Sequence, residues 1–374
     1  MSLRQFISAR NLLRTFKLVD GAIDTVTDTV TDGWKEVAKL FGLHEDVFEN
    51  PLHKKLSKPV TAILIGAGHR GSIYADYAIK NPDEFTIVGV CHVLRYTPYF
   101  RELKEIIDAK TIGEVISVQH LEPIEHVHMS HSYVRGKWRN SKFATPIILA
   151  KSCHDTDIIR WLVGNEADNV HCFGNLKWFT NTNAPEGSTE RCMDGCMVEG
   201  SCAYSALQIY FRDRKRLYVF DLPENKNKWD EVILEGLKTT DYGRCVYRMD
   251  NDQPDHLTVN ILFKNGVTAA FSMEAHVSYE GRRTRIMGSK GDIVGDMETF
   301  TMTDFRTGKK TTWSMKTDSH GGGDHRLMKD WVQAVGQQNP ALLSSSIDIS
   351  VESHIIAFAA EKSRRSRTIE DVLV

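Results

Sequence analysis

Three glycines constrain this chain more than any other feature. Gly66, Gly68 and Gly71 stand at G-x-G-x-x-G spacing directly after the apolar run Val60 to Ile65. A helical pattern follows, and then a second apolar run, Phe85 to Val90. This order reads as the opening of a dinucleotide-binding βαβ unit: the first glycine permits the tight turn, the second lets the backbone approach a pyrophosphate, and the third lets helix and strand pack closely. The helix N-terminus offers free N–H groups to the phosphates. His69 and Arg70 complete the loop and count with the glycines as cofactor-binding candidates. An ordinary β-to-α turn is the simpler reading of the same residues.

The second strand ends differently from what such a unit requires. An Asp or Glu is expected there to hold the ribose hydroxyls, and the chain has Cys91 and His92.

At 374 residues the chain is long enough for two domains. A hydrophobic content of 41% with 26% charged residues is that of an ordinary globular protein, and a net charge of −2 argues against nucleic acid as the main partner. Seven irregularly spaced cysteines do not read as a secreted disulfide framework, so a reducing compartment, the cytoplasm, is expected. No apolar run approaches the ~18 residues of a membrane span. Arg4, Arg10 and Arg14 precede the first acid, Asp20, as in an organelle presequence or a membrane-surface helix. Packing through Leu3, Phe6, Leu12, Leu13 and Phe16 makes residues 1–57 a helical extension instead.

Further along, Pro98 to Ala109 reads as a helix and Val115 to Leu121 as a strand, while His126 to Ser141 has no periodicity and reads as a loop near a site or an oligomer contact. Leu257 to Phe263 and Val267 to Met273 alternate on either side of Asn265-Gly266, which predicts a hairpin with a type I′ turn. Strand signals at Arg283 to Met287, Ile293 to Asp296 and Phe300 to Phe305 extend this into a mainly antiparallel sheet with one face to be covered. The glycines of SHGGGD, Ser319 to Asp324, open a helix and either admit a ligand or merely free the chain's entry. In the last helix Val351, His354, Ile355, Phe358 and Ala359 mark a core-facing stripe.

Two clusters carry candidate chemistry. In Pro146 to Gly164, His154 and Asp157 lie three apart near a helix start, with Lys151 one turn before and Asp155 between. A buried His–acid pair is often only structural, but this convergence of charge at a helix start can bring pKa values into a useful range. In ERCMDGCMVEGSC, Cys192, Cys196 and Cys202 lie close together. Three thiolates suit zinc or an iron–sulfur cluster, with the fourth ligand drawn from Cys172, His171 or Cys245; reduced thiols in a loop, or a disulfide, are the alternatives.

The segments ILIGAGHRG, CHVLRYTPYF, CHDTDIIRWLVG, RRTRIMGSKG and HGGGD together resemble the Gfo/Idh/MocA family of NAD(P)-dependent oxidoreductases. The resemblance implies an α/β protein: a Rossmann-type dinucleotide-binding domain, here 58–97, and a C-terminal substrate and oligomerisation domain, 98–374, with a large open sheet. It implies NAD or NADP as cofactor, hydride transfer on a sugar or cyclitol carbon, and a homo-oligomer formed through the sheet. His154 matches the family's catalytic His in H-x-x-D and Asp157 its acid; His154 would take the carbinol proton as hydride leaves. The family's usual Asp four residues before this His is Ala150, which makes Lys151 a candidate to polarise the substrate oxygen. A related branch cleaves glycosides by transient hydride chemistry, so an NAD-dependent glycoside hydrolase is an alternative.

In relatives the CHVLRYTP segment follows the sixth strand of the Rossmann sheet, whereas here it follows the second. At ~20 residues per strand-plus-helix step, roughly 80 residues are missing, and with them the ribose acid and the topological switch point. The Rossmann domain is therefore expected to be truncated after Val90. The chain is then either an oxidoreductase, its activity impaired by the shortened site, or a non-catalytic remnant that binds a sugar-like ligand and oligomerises.

Overall fold

The computed structural model describes residues 60–64, 85–90, 92–315, 323–345 and 347–373. The N-terminal extension, the glycine loop with Gly66, Gly68, His69, Arg70 and Gly71, Cys91, and the glycines of the SHGGGD segment before Gly323 lie outside the described residues. The chain divides into two compact units, one of residues 1–92, 327–351 and 374, the other of 93–326 and 352–373.

In the first unit, strands β1 (Val60–Leu64) and β2 (Phe85–Val90) pair in parallel, Val60 opposite Phe85 and Leu64 opposite Val90. A parallel pair needs a crossover connection, which agrees with the βαβ order of the sequence.

The second unit is built on strands β3 (Val115–Glu125), β4 (Ala167–Asn175), β5 (His256–Phe263), β6 (Thr268–Val277), β7 (Arg283–Gly288), β8 (Gly291–Gly295), β9 (Thr299–Asp304), β10 (Lys310–Ser314) and β11 (Glu370–Asp371). They form one nine-stranded sheet in the order β10-β9-β8-β7-β3-β6-β5-β4-β11. Every neighbouring pair is antiparallel except β3 with β6. The large, mainly antiparallel sheet expected from the alternating patterns is thus present.

Helices α1 (Pro98–Asp108), α2 (His126–Met129), α3 (Ile147–Ala150), α4 (Cys153–Val163), α5 (Trp229–Thr239), α6 (Gly323–Gly336) and α7 (Ile347–Ser366) accompany the strands, with short 3-10 and π-helical turns between them. Thr97 caps α1 by accepting a hydrogen bond from Phe100 N, and Pro98 supplies a pre-set φ at the first helical position. The α1 face of Tyr99, Phe100, Leu103 and Ile107 packs with Ile158 and Leu162 of α4 and with Ile286, Ile293 and Phe300 of the sheet. Each such side chain contributes roughly 1.5–3 kcal/mol on burial. A larger core joins Val118, Val259, Ile261, Phe271 and Met273 to Ile356 and Ala360 of α7. The other side of the sheet is open: Ile116, Phe173, Leu262 and Val294 are exposed.

Three local expectations are corrected. The Lys264-Asn265 turn closes by Gly266 N donating to Phe263 O, and Gly266 at φ +84 is in the left-handed region while Asn265 is not. This is a glycine-bulge turn, not type I′, which needs both central residues at positive φ. The stretch expected as a loop after β3 winds through α2 into a π-helical turn, Ser130–Arg135, all six residues of which are buried. Buried backbone must satisfy its own hydrogen bonds, and winding does so. In α7 the most deeply buried residues are Ser353, Ile356, Ala357, Ala360 and Ser363; Ala359 belongs to the same core and Ile355 and Phe358 pack against it, so the buried face is wider than the apolar spacing marks and includes serines. The polar members are matched there: Ser353 donates to Asp157 and Ser363 Oγ accepts from Cys172 N.

Among the described residues no helix is long and apolar enough to cross a membrane.

Candidate active site

The head of α4 lies against the covered face of the sheet, and charged groups converge there. Alternation along β3 puts Val118, His120 and Glu122 on the same side of the strand, and all three are buried. Asp155, in the first turn of α4, meets His120 Nε2 at 3.1 Å. The other ring nitrogen of His120 is 2.9 Å from Thr284 Oγ1 on β7. Arg282, just before β7, donates from Nε to Asp155 Oδ1 at 2.5 Å and stands 3.0 Å from Glu122 Oε2. Its Nε–H is aimed at Asp155, so Glu122 Oε2 receives the nearby charge but no hydrogen bond. Lys151 Nζ completes the row, 3.1 Å from Glu122 Oε1.

Two cations and two carboxylates balance in this row, which makes the burial of four charges tolerable. The carboxyls respond differently. Burial pushes Glu122 up, against the pull of Arg282 and Lys151. Burial acts on Asp155 in the same sense, but the Arg282 charge and the His120 hydrogen bond outweigh it and hold Asp155 well below the usual carboxylate range. His154, one residue before Asp155, is lowered to about 4 by burial and then by Arg282. Its imidazole is neutral at pH 7, the form that can accept a proton.

Asp157 is separated from this row. Both its oxygens take hydrogen bonds from Arg95, at 2.7 Å from Nε, and Oδ1 also accepts from Ser353 Oγ at 2.8 Å. Arg95 and Asp157 have no exposed side-chain surface. Of the three residues singled out in the sequence, Lys151 and His154 therefore lie beside one charge network and Asp157 is engaged in another. His120, Glu122, Arg282 and Arg95 escaped notice in the sequence. The usable signal was His120 and Glu122 falling on the apolar side of a strand, because a buried charge is the informative exception.

The cysteine cluster departs from expectation. Among the described residues no group of three or more His, Cys, Asp and Glu is placed to hold a metal ion, so Cys192, Cys196 and Cys202 do not form the zinc or iron–sulfur site their spacing suggested. Cys192 Sγ instead accepts from Ala206 N at 3.4 Å and from Arg135 Nη2 at 3.9 Å. Burial raises the Cys202 and Cys245 thiols. The alternative ligands are also taken up elsewhere: Cys172 is buried in the large core and His171 lies edge-on to Phe173.

The chain is 25% identical over 337 residues to YteT of Bacillus subtilis (strain 168), a protein named as an oxidoreductase, covering 79% of this chain and 76% of the relative. A levoglucosan dehydrogenase solved with NADH and levoglucosan is 14% identical, with 81% of this chain and 70% of that one covered at a TM-score of 0.51. The super-repressor mutant of Gal80p from Saccharomyces cerevisiae is 13% identical, with 83% and 72% covered at a TM-score of 0.54. At such identities the two structures report a shared fold only. The model of the oxidoreductase family's C-terminal alpha/beta domain matches residues 104–369, from α1 to the residue before β11. The chain therefore belongs to the Gfo/Idh/MocA oxidoreductase family.

Proposed function

We propose that the protein is an NAD(P)-dependent oxidoreductase acting on a carbinol carbon of a sugar or cyclitol. The observation that carries this reading is a neutral, half-buried His154 in the same short segment as Lys151, which meets Glu122 of the Glu122–Arg282–Asp155 row, in a chain of this family. His154 takes the hydroxyl proton. Lys151, steadied by Glu122, donates to the substrate oxygen and stabilises the charge that develops there. Asp157 acts at one remove: by holding Arg95 and Ser353 it fixes the helix that carries His154. Gly66, Gly68, His69, Arg70 and Gly71 would hold the dinucleotide's pyrophosphate, and the nicotinamide supplies a hydride acceptor. In this reading residues 1–57 are an extension, 58–97 a truncated nucleotide-holding part, and 98–374 the substrate part, which joins a second copy through the open face of the sheet. The missing Rossmann strands lower dinucleotide affinity.

Fluorescence titration with NADH and NADPH tests the cofactor. Micromolar affinity supports the reading, and no binding up to millimolar concentrations sinks it. Sugar and cyclitol oxidation by the wild type and by His154→Ala tests the base. A 10²–10⁴-fold loss in turnover is expected of a general base, and unchanged turnover would remove His154 from the reaction.

A further inference from the structure

Away from that site, Cys192, Cys196, Cys202 and Cys245 line one small cavity together with Arg135. Its volume of about 20 Å³ admits a water-sized molecule. Arg135 is 1% exposed. Its Nε donates to Arg244 O at 2.8 Å and its Nη2 to Tyr204 O at 2.7 Å, and Nη1 has no hydrogen-bond partner. No ion pair to a carboxylate is formed by Arg135 among the described residues, so a buried guanidinium beside the cavity is held by two backbone carbonyls and the Cys192 sulfur. An uncompensated buried cation is costly, and the group best placed to balance it is the sulfur that Nη2 already reaches, Cys192 Sγ. Ala206 N–H donates to the same sulfur at 3.4 Å.

We infer that this cavity is a peroxide-reactive thiol site, with Cys192 the residue oxidised and a second cavity cysteine the one that resolves it. The Cys192 thiolate attacks one oxygen of a hydroperoxide; the S–O bond forms as the O–O bond breaks, and hydroxide or alkoxide leaves. Sulfur is oxidised to the sulfenic acid and the peroxide is reduced. The Arg135 guanidinium, whose Nη2 lies 3.9 Å from Cys192 Sγ, stabilises the charge on the departing oxygen. A neighbouring thiol then attacks the sulfenic sulfur, the S–S bond forms, and water leaves with the thiol's proton. Cys192, Cys196 and Cys202 are only partly buried, so a small oxidant can reach them. The segment from Cys192 to Cys202 is made of turns and short 3-10 winding, the kind of chain that can bring two sulfurs to bonding distance.

The test uses the reduced full-length protein, freed of reductant and treated with equimolar hydrogen peroxide, with and without dimedone, followed by peptide mapping. Dimedone on Cys192 at early times is expected, then a disulfide from Cys192 to Cys196, Cys202 or Cys245 and the loss of two titratable thiols. Cys192→Ser should abolish that disulfide, and Arg135→Lys should slow Cys192 oxidation at least tenfold with the far-UV spectrum unchanged. If Arg135→Lys fails to fold, the relative peroxide reactivity of the seven wild-type cysteines decides: Cys192 must lead. Equal reactivity among them, oxidation elsewhere first, or thiols that react only after a chelator strips bound zinc or iron would overturn the inference.

Discussion

Arg95 Nε stands 2.7 Å from Asp157 Oδ2, and neither side chain has any exposed surface. The pair links the turn at Val93–Tyr96 to the second turn of α4, and Ser353 Oγ ties α7 to the same carboxylate. Removing one partner leaves the other as a buried, uncompensated charge. Arg95→Leu is expected to cost about 3–5 kcal/mol in urea unfolding. Ser353→Ala, which removes one hydrogen bond to a charged group, should cost about 1.5–3 kcal/mol. If Asp157 moved the proton itself, Ser353→Ala would shift the pH profile of turnover; a positioning role shifts stability alone.

The same reasoning separates Lys151 from Glu122. Lys151→Met removes a donor to the substrate oxygen and is expected to lower turnover about 10²-fold or more, with a stability cost smaller than that of Arg95→Leu because Glu122 keeps Arg282. Glu122→Gln keeps the shape but weakens the anchor of Lys151, and should lower turnover less. Its stability effect has a definite sign. Burial raises the Glu122 pKa, so the folded state binds a proton the unfolded chain has released, and the penalty of ionising it in the fold grows as pH rises above the unfolded value of about 4.3. Glu122→Gln relieves that penalty, so stability of the variant relative to wild type should improve from pH 4 towards neutrality in urea melts.

His154 contributes with its own sign. Its folded value of about 4, set by burial with Arg282 adding, lies below the unfolded value near 6.5. Between these the unfolded chain binds the proton and the fold does not, so stability rises with pH across the window and is flat above it. The full rise is on the order of 3 kcal/mol, from about 2.5 pKa units at 1.36 kcal/mol each. His154→Gln should flatten it when urea midpoints are compared between about pH 4.5 and pH 7; an unchanged slope would place the titrating group elsewhere.

How much of this was legible in the sequence follows from chain separation. The β5–β6 hairpin announces itself because both strands alternate and the turn is local, yet the turn type was missed: Asn-Gly permits two positive φ values and the fold uses one. The α4 cluster was visible because Lys151, His154 and Asp155 are neighbours in the chain. The Arg282 that completes it is 127 residues from Asp155, and Ser353 is 196 from Asp157, separations at which no single-chain pattern operates. The buried face of α7 was read too narrowly for a related reason. Periodicity rules assume that buried positions are apolar, and here serines occupy them because Asp157 and Cys172 N give them partners. The cysteine spacing likewise pointed to a metal because spacing carries no information about Arg135, whose guanidinium changes what the thiols can do.

The open face of the sheet carries its own expectation. Phe173 is 59% exposed and Leu262 37%, on neighbouring strands β4 and β5, where a monomer would leave apolar surface in water. If a second copy covers this face, Phe173→Glu with Leu262→Glu should convert the oligomer to a monomer in light scattering while leaving the circular dichroism spectrum intact. An unchanged mass would exclude this face as the interface.

Gly243 supplies a test of the thiol cavity's frame. Its carbonyl accepts from Cys192 N at 3.1 Å, and the Arg191–Arg244 bridge flanks the contact, so this backbone fixes the position of the Cys192 sulfur. A Cβ built on Gly243 would sit 1.7 Å from Leu237 O, a backbone carbonyl near the end of α5 that accepts from the Arg191 guanidinium. Gly200, in the same loop region, meets nothing within 4 Å. Gly243→Ala is therefore expected to cost about 1–3 kcal/mol and to disturb Cys192, whereas Gly200→Ala should be within about 0.5 kcal/mol of wild type. Thermal unfolding gives the first comparison and the iodoacetamide reactivity of Cys192 the second. Only a change in both for Gly243→Ala, with neither changed for Gly200→Ala, is consistent with a backbone that positions the sulfur.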